Sequence, residues 1–315
     1  MLAQRRIAAI DVGTNTVRLL AVEFEEDSVN ILDESGEVTR LGAGLVGTGT
    51  IEDEDATRTY VVLEQCLARA RELEADPIDI VGTEVFRAAE NGKDVAARFS
   101  SQLGHAVRIL SADDEAEAAY LGVVGWQDQF DPRPTVVVDM GGGSTQVVLG
   151  EGIALSRARS VPIGALRLTE ACLKHDPPRP AEVEAARKSA ATAVMPLAGF
   201  APRPAKRGGE AHLVGVGGTL CAIGGWVHRV VPYDRTRVEG VRVTRKELAA
   251  AVLEWTGMDL ATRMERGGMN EGRARVVTGG GILMEALFDT LGIPAIEVST
   301  RGIRHGLVLR RLLLA

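Results

Sequence analysis

The sequence has few of the residue patterns that define several common classes of protein. Its three cysteines, Cys66, Cys172 and Cys221, are far apart and form no C-x-x-C pair. This spacing excludes a cysteine-built metal site and fits a reducing cytoplasm. No stretch approaches the roughly 18 uninterrupted apolar residues of a membrane-spanning helix. The N-terminal apolar run meets Asp11 at once, so it is too short for a signal peptide.

Paired histidines and an excess of positive charge are also absent. The five histidines contain no i, i+4 pair, so each is expected on the surface or in the core rather than on a metal. A formal net charge of −7 and a pI of about 5.4 disfavour non-specific nucleic-acid binding, although they allow a local basic groove for a polyanion. We therefore expect no nucleic-acid partner and no membrane partner. A length of 315 residues predicts two domains.

The most informative stretch is residues 135–150, TVVVDMGGGSTQVVLG. Two β-prone runs flank Asp139 and three consecutive glycines, which predicts a strand, a glycine-rich turn and a second strand. Residues without side chains let backbone N–H groups converge on an anion, and a carboxylate beside such a turn suggests phosphate with Mg²⁺. A tight hairpin whose glycines only permit positive φ explains this stretch equally well.

The same pattern recurs in outline at residues 7–21, IAAIDVGTNTVRLLA. The aligned positions are Asp11 with Asp139, Gly13 with Gly141, and Thr16 with Ser144. Such a repeat predicts two related lobes that face one ligand. The pattern leaves open whether Arg18 faces that ligand or solvent. Residues 212–225, HLVGVGGTLCAIGG, form a third strand and glycine turn that again offers backbone donors to an anion.

An arginine follows the strand predicted at residues 78–82. Arg87 lies in a short helix just past the end of this strand, where it is well placed to bind phosphate in a bidentate manner. The alternative is a surface ion pair with Glu84 or Glu90.

Several acids begin the helix predicted after residue 111. Asp113, Asp114 and Glu117 are explained as acids that complement the helix dipole and its free N–H groups. Glu117 points about 200° around the helix from Glu115, so the two cannot line one wall. Glu115 is the acid that we assign to chemistry.

Other segments predict the surrounding framework. Residues 29–38 suggest a further pair of strands, and residues 51–74 a helix with an acidic start. Residues 269–286 suggest two helices separated by a turn at Thr278-Gly-Gly-Gly. The amphipathic segment 302–314 is expected to pack its apolar face on a domain.

Together these motifs resemble the exopolyphosphatase and guanosine pentaphosphate phosphohydrolase (Ppx/GppA) family. The matching segments keep the family's order over nearly the whole chain: AIDVGTNTVRLL, VTRLGAGL, VGTEVFRAAEN, ADDEAEAAYLGV, VVDMGGGSTQVVLG, SVPIGALRLTE, VGVGGTLCAIGG, RARVVTGGGILMEAL and STRGIRHGL. The resemblance implies an α/β fold of the actin-like superfamily, with two ribonuclease-H-like domains and the active site in the interdomain cleft. The expected domains are residues 1–125 and 126–301, with the terminal helix 302–315 packed on the first, as in the short, two-domain form of the family.

The resemblance also implies roles for individual residues. Glu115 would activate water, with Asp139 and the phosphate-binding Arg87 as the other catalytic residues. Mg²⁺, with Mn²⁺ as the alternative, would be held by Asp11, Asp139 and Glu115. The implied phosphate-binding residues are Gly13, Thr14, Asn15 and Thr16 in the first turn, Gly141, Gly142, Gly143, Ser144 and Thr145 in the second, and Gly217 and Gly218 in the third.

Four positions depart from the family's usual residues. Gln146 replaces the glutamate usual after GGGST, Glu84 stands where serine or asparagine is more frequent, Arg275 stands where an acid is common, and Thr300 stands where aspartate is common. Gln146 weakens a metal or base role at that position. Because the expected catalytic acids are intact, we expect these departures to alter substrate preference more than reaction class.

The expected activity is that of an exopolyphosphatase, which hydrolyses the terminal phosphoanhydride of inorganic polyphosphate. One alternative is a guanosine pentaphosphate (pppGpp) 5'-phosphohydrolase, and another is a non-catalytic alarmone- or polyphosphate-binding protein, which Gln146 favours. A sugar-kinase-like phosphotransferase is disfavoured because the second turn lacks a recognisable acceptor-base motif. The expected location is the cytoplasm, and the family's frequent dimers lead us to expect a homodimer.

Overall fold

Two compact units make up the protein. A computed structural model describes residues 5–25, 28–126, 133–201 and 211–313. The first unit comprises Met1–Trp126 and Ile303–Ala315, and the second comprises Gln127–Gly302. Each unit contains one mixed β-sheet. None of the helices in the described ranges combines the length and the apolar character that a bilayer crossing requires.

The first unit is built on a five-stranded sheet. Its strands are β1 (Arg5–Val12), β2 (Thr16–Glu25), β3 (Ser28–Val38), β4 (Ile78–Gly82) and β5 (Val107–Ile109). Its helices are α1 (Leu45–Thr48), α2 (Asp53–Glu72), α3 (Glu84–Ala88), α4 (Gly92–Leu103), α5 (Ala112–Val124) and α13 (Ile303–Leu313). The strand order is β3-β2-β1-β4-β5, in which β1, β2 and β3 are antiparallel neighbours while β4 and β5 run parallel to β1.

Strand β1 is the centre of this unit because it is apolar on both faces. Ala8 and Ile10 belong to the core that contains residues of α2 and α4. Ile7 and Ala9 belong to a second core with residues of α5 and α13. Alternate side chains of a strand point to opposite faces, so an uninterrupted apolar run produces a sheet covered by helices on both sides.

The second unit is built on a six-stranded sheet. Its strands are β6 (Pro134–Met140), β7 (Thr145–Glu151), β8 (Ala154–Val161), β9 (His212–Val216), β10 (Arg242–Thr244) and β11 (Ala295–Val298). Its helices are α6 (Ala165–Cys172), α7 (Pro180–Val194), α8 (Gly218–Val227), α9 (Arg235–Val238), α10 (Arg245–Thr256), α11 (Leu260–Gly267) and α12 (Glu271–Leu291), and a 3₁₀ helix covers Met195–Phe200.

The two sheets share one topology. In the second unit the order β8-β7-β6-β9-β11 repeats the order β3-β2-β1-β4-β5, with β10 added at the edge. Strands β6, β7 and β8 are antiparallel, whereas β9 runs parallel to β6 and β11 parallel to β9. The repeated order confirms the predicted fold class of two ribonuclease-H-like α/β units.

Two predicted elements were wrong. Residues 29–38 belong to one long strand, β3, rather than to a strand pair. Residues 269–286 contain no turn at the glycines, because α12 continues through them. A β-carbon at Gly279 would lie 2.2 Å from Thr169 Oγ1, and one at Gly280 would lie 2.2 Å from Thr219 Cγ2. The glycines therefore permit close packing of α12 against α6 and α8, and they do not break the helix.

Candidate functional site

In the first unit, the hairpin of β1 and β2 carries Asp11 to the first turn. Asp11 lies opposite Arg18 in the strand register. The turn is closed by Gly13, whose N–H donates to the carbonyl oxygen of Thr16 at 2.9 Å. A tight turn here places Asp11 and the polar turn residues at the same end of the sheet.

In the second unit, the hairpin of β6 and β7 has the same construction. Asp139 lies opposite Gln146, and the N–H of Gly141 donates to the carbonyl oxygen of Ser144 at 3.0 Å. This hydrogen bond is the counterpart of the one in the first turn, as the sequence alignment of the two turns predicts.

Helix α6 fixes the second turn from one side. The carbonyl oxygens of Gly141 and Gly142 accept from the N–H groups of Ala165 and Arg167, both at 3.0 Å. A β-carbon on Gly164 would lie 2.5 Å from the carbonyl oxygen of Gly141, so glycine is required there. Within the described residues, the N–H groups of Gly142 and Gly143 have no acceptor. These N–H groups are therefore available to an anion.

The third turn lies next to Asp139. Gly217 connects β9 to α8 with φ of 106°, in the region that favours glycine. A β-carbon there would lie 2.5 Å from the carbonyl oxygen of Met140 and 3.3 Å from Asp139 Oδ1. Strands β6 and β9 are parallel neighbours, so their carboxyl ends bring together Asp139, the second turn and the N-terminus of α8.

Gln146 is an uncharged side chain at a position where the family resemblance leads us to expect an acid. Its side chain is buried, with the residue 1% exposed, and Nε2 donates to Ser144 Oγ at 2.9 Å and Ser160 Oγ at 3.3 Å. Because Ser144 Oγ accepts this bond, its own hydroxyl hydrogen remains able to donate to a ligand oxygen. The residue that departs from the family pattern thus orients a residue predicted to bind phosphate.

The first unit pairs the two side chains that we assign to chemistry. Arg87 Nη2 donates to Glu115 Oε2 at 2.6 Å, and Arg87 Nη1 donates to the carbonyl oxygen of Leu110 at 2.6 Å. Glu115 is only 5% exposed. The partner of Arg87 is therefore Glu115, 28 residues away, rather than the neighbouring Glu84 or Glu90.

The other acids at the start of α5 have structural roles. Ser111 caps the helix by accepting from the N–H of Asp114 at 3.0 Å. The Ser111 hydroxyl also donates to the Asp114 carboxylate, which lowers the pKa of Asp114. Glu117 lies 3.6 Å from Arg310 of α13. Asp114 and Glu117 therefore contact other residues than Glu115 does, as the helical periodicity predicts for Glu117.

One carboxylate oxygen of Asp11 is buried at the first turn. Among the described residues, Asp11 Oδ1 and Asn15 Oδ1 are buried without a hydrogen-bond partner. Burial raises the pKa of Asp11, and the charges of Arg18 and Arg304 partly oppose that rise. Arg18 is half-buried and lies opposite Asp11 in the strand register.

The unpartnered oxygens of the first turn fit a hydrated divalent cation, since Mg²⁺ prefers oxygen ligands and retains several waters. Across the described part of the chain, no three His, Cys, Asp or Glu side chains gather closely enough to hold a metal ion. The assignment of Asp11, Asp139 and Glu115 as ligands of Mg²⁺ stays a prediction.

Local contacts describe the roles of two of the four residues that depart from the family pattern. Thr300 donates to Glu239 Oε2 through its N–H at 2.6 Å and through its hydroxyl at 2.5 Å. An aspartate at this position would face the carboxylate of Glu239, so a neutral donor suits it better. Arg275 forms an i, i+4 ion pair with Glu271 on the surface of α12.

Sequence reasoning did not predict the contacts of two charged residues in the first unit. Glu84 is buried and accepts from Thr14 Oγ1 at 3.3 Å. Arg304 donates to the carbonyl oxygen of Leu19 at 2.5 Å and to Glu34 Oε1 at 2.9 Å. The amphipathic pattern of α13 indicates only that the helix packs, because the partner of Arg304 lies 270 residues away.

Comparison with known proteins identifies the family of the chain. A model of the Ppx/GppA phosphatase family matches residues 21–315, and the chain belongs to that family. Exopolyphosphatase 2 of Mycobacterium tuberculosis is 31% identical to it, over 98% of this chain and 99% of the relative. Guanosine-5'-triphosphate,3'-diphosphate pyrophosphatase of Vibrio vulnificus is 27% identical, over 95% of this chain and 58% of the longer relative.

Solved structures give the same result. The crystal structure of the Aquifex aeolicus Ppx/GppA family member has a TM-score of 0.80 and 27% identity, covering 99% of this chain and 98% of that one. An exopolyphosphatase-like protein has a TM-score of 0.88 and 27% identity, covering 99% of both chains. The predicted family, its fold and the class of phosphoanhydride hydrolase are thus confirmed.

Proposed function

We propose that this phosphatase is an exopolyphosphatase, which releases orthophosphate from the end of inorganic polyphosphate. The observation that carries the proposal is the buried Glu115 carboxylate held by Arg87 at 2.6 Å. The 31% identity to an exopolyphosphatase over nearly the full length of both chains favours polyphosphate as the substrate.

Arg87 is suited to bind the phosphate that is cut. A guanidinium has five N–H donors, and the two hydrogen bonds to Glu115 and Leu110 leave three of them for phosphate oxygens. Phosphoryl transfer depends mainly on positioning and charge neutralisation, which a fixed arginine supplies. The hydrogen bond to Leu110 keeps the guanidinium in place before substrate arrives.

Glu115 is suited to activate the attacking water. Its ion pair with Arg87 requires the carboxylate form, which is the form that can accept a proton. The water oxygen forms a bond to the terminal phosphorus while its proton passes to Glu115. The bond from that phosphorus to the bridging oxygen breaks, and the electron pair leaves with the shortened chain.

The turns would hold the phosphate groups. The N–H groups of Gly142 and Gly143, the hydroxyl of Ser144 and the N-terminus of α8 are donors for phosphate oxygens. Mg²⁺, when bound by Asp11 and Asp139 directly or through water, would neutralise charge on those oxygens.

The test is Glu115→Gln, with orthophosphate release from long-chain polyphosphate measured in the presence of Mg²⁺. We expect activity to fall by about 10²–10⁴-fold. Glu117→Gln is the matched control, because it makes the same change in the same helix but at a side chain that faces Arg310. Glu115→Gln activity within a few-fold of wild type would refute the assignment.

A second candidate is hydrolysis of pppGpp, which the resemblance to the Vibrio vulnificus enzyme favours. The chemistry at the terminal phosphate would be the same. Parallel assays with long polyphosphate, short polyphosphate and pppGpp decide between the substrates. Tight binding of these ligands with no phosphate release under Mg²⁺ or Mn²⁺ would instead favour a non-catalytic binding protein.

A further inference from the structure

The segment that follows β3 holds the first turn in place. The N–H groups of Thr39 and Arg40 donate to the carbonyl oxygen of Asn15 at 3.0 and 3.1 Å. The N–H of Gly42 donates to the carbonyl oxygen of Thr14 at 2.9 Å, and a β-carbon on Gly42 would lie 2.4 Å from Thr14 Cγ2. This segment therefore lies directly against the turn, and its backbone fixes the orientation of the turn's peptide groups.

The N–H groups of the first turn are left for a ligand. Within the described residues, the N–H groups of Thr14 and Asn15 have no acceptor. In the alignment of the two turns, they correspond to the N–H groups of Gly142 and Gly143. In both turns a neighbouring element binds carbonyl oxygens, while N–H groups stay available to an anion. Residues 39–42 therefore have the role in the first turn that α6 has in the second.

Arg40 has a backbone conformation that arginine rarely adopts. Its φ is 56°, in the left-handed region that favours glycine. In the described part of the chain, the other non-glycine residues with positive φ are Glu74 and Arg229. Each of these two follows the end of a helix, where a left-handed residue is a common cap. Arg40 instead follows a strand, β3, and its N–H donates to the first turn, so helix capping does not explain its conformation.

The Arg40 side chain is what a glycine at this position would lack. The residue is half-buried between Thr39 and Leu41, which are both fully buried. Its guanidinium forms no ion pair and no hydrogen bond within the described residues. Residues in strained backbone conformations are concentrated at functional sites, where the surrounding structure imposes the strain. A half-buried cation beside a turn with available N–H groups is therefore suited to an anionic ligand.

We propose that Arg40 is a phosphate-binding residue of the first turn, whose guanidinium pairs with the phosphate group that the turn N–H groups hold. This inference rests on the proposed function and adds a binding residue to it. The backbone nitrogen of Arg40 lies 3.1 Å from the carbonyl oxygen of Asn15, so the side chain begins within one hydrogen bond of the turn. A guanidinium binds phosphate oxygens in a bidentate manner and stays charged at every working pH. Arginine is thus kept where glycine would be less strained.

The substitution Arg40→Gly separates backbone strain from ligand binding. Glycine relieves the left-handed strain, so Tm should rise by about 2–4 °C. Loss of the cation should raise the Kd for tripolyphosphate by about 10–100-fold. Arg40→Lys keeps the charge and should recover part of the affinity. Arg229→Gly is the matched control, because it makes the same change at a φ of 54° on an exposed arginine after α8, and it should leave the affinity unchanged.

Binding measured without turnover separates this inference from the proposed function. Titration calorimetry with tripolyphosphate and Mg²⁺ in the Glu115→Gln background gives Kd for each variant. The loss in Arg40→Gly should be smaller at about 1 M salt than at about 0.1 M, because salt screens the charge pair.

Three results would overturn the role of Arg40: an unchanged Kd in Arg40→Gly, an equal loss in Arg229→Gly, or a fall in Tm that accompanies the loss of affinity. Absence of tripolyphosphate binding in the Glu115→Gln parent would overturn both this role and the proposed function. If Arg40→Gly weakens binding as expected while Glu115→Gln still releases phosphate at near the wild-type rate, the catalytic assignment fails and the role of Arg40 stands.

Discussion

The substitution Gln146→Glu tests how the second turn is charged. It introduces the acid that the family resemblance leads us to expect, at a buried position that lies opposite Asp139 in the strand register. Both serine hydroxyls that now accept from Gln146 can rotate and donate to a carboxylate, so the hydrogen bonds can be retained. The principal change is a second negative charge beside Asp139.

The size of the effect follows from the strand geometry. Side chains opposite each other in an antiparallel pair are about 5 Å apart. Two like charges at that distance repel by about 3 kcal/mol at an effective dielectric constant of about 20. For a unit of this size, such a loss lowers Tm by about 6–12 °C.

The effect depends on pH in a defined direction. Repulsion raises the pKa of the introduced carboxyl in the folded state above its unfolded value of about 4.3. At pH values below about 4.3 the introduced carboxyl is protonated in both states, so the repulsion is absent and the variant keeps its full stability. The stability is lost as the pH rises through the folded-state pKa, so the deficit should be larger at pH 8 than at pH 5.

Thermal unfolding at pH 5 and pH 8, with and without Mg²⁺ or Mn²⁺, measures this effect. Two adjacent carboxylates bind a divalent cation, so the metal should raise the Tm of Gln146→Glu at pH 8 more than that of wild type. Gln146→Leu is the control, because it removes the hydrogen bonds without adding charge and should show neither response. A deficit in Gln146→Glu that is equal at both pH values and indifferent to metal would refute the reasoning.

Two other substitutions test the electrostatics of each unit. Asp11→Asn should abolish phosphate release. It should also stabilise the protein at pH 8 by on the order of 1 kcal/mol. Burial raises the pKa of Asp11, so ionising this carboxyl lowers the stability of the folded protein as the pH rises through that pKa. Thermal unfolding should show no gain near pH 3, and a lower Tm at pH 8 would contradict the argument. Thr300→Val removes a donor to Glu239 and an acceptor for Arg235, so urea unfolding should show a loss of about 1.5–3 kcal/mol, whereas Thr300→Ser should be near wild type. Equal losses in both variants would mean that the methyl group, and not the hydroxyl, is responsible.

The sequence predicts the parts of the fold that depend on local pattern. The apolar runs on either side of Asp11 and Asp139 predict the two hairpins, and the glycines between them predict the turns. Such signals are contained within about 15 residues, and the periodicity of a strand or the conformational freedom of glycine is enough to interpret them.

Sequence reasoning fails where packing partners are distant in the chain. The glycines of α12 have the composition of a turn, yet Thr169 and Thr219 make them contact positions in a helix. The partner of Arg87 could not be chosen from sequence because Glu115 belongs to a different element. In both cases the deciding contact is tertiary, and local propensity gives no information about it.

The clamp between α6 and the second turn determines which peptide groups a ligand can meet. Because the carbonyl oxygens of Gly141 and Gly142 are tied to α6, these peptide planes cannot flip to present oxygen instead of N–H. The turn therefore presents N–H groups to an anion before any ligand arrives. The conformational entropy lost in ordering the turn is lost during folding rather than on binding. A substitution at Gly164 would separate the helix from the turn, and the ligand would then have to organise the turn itself.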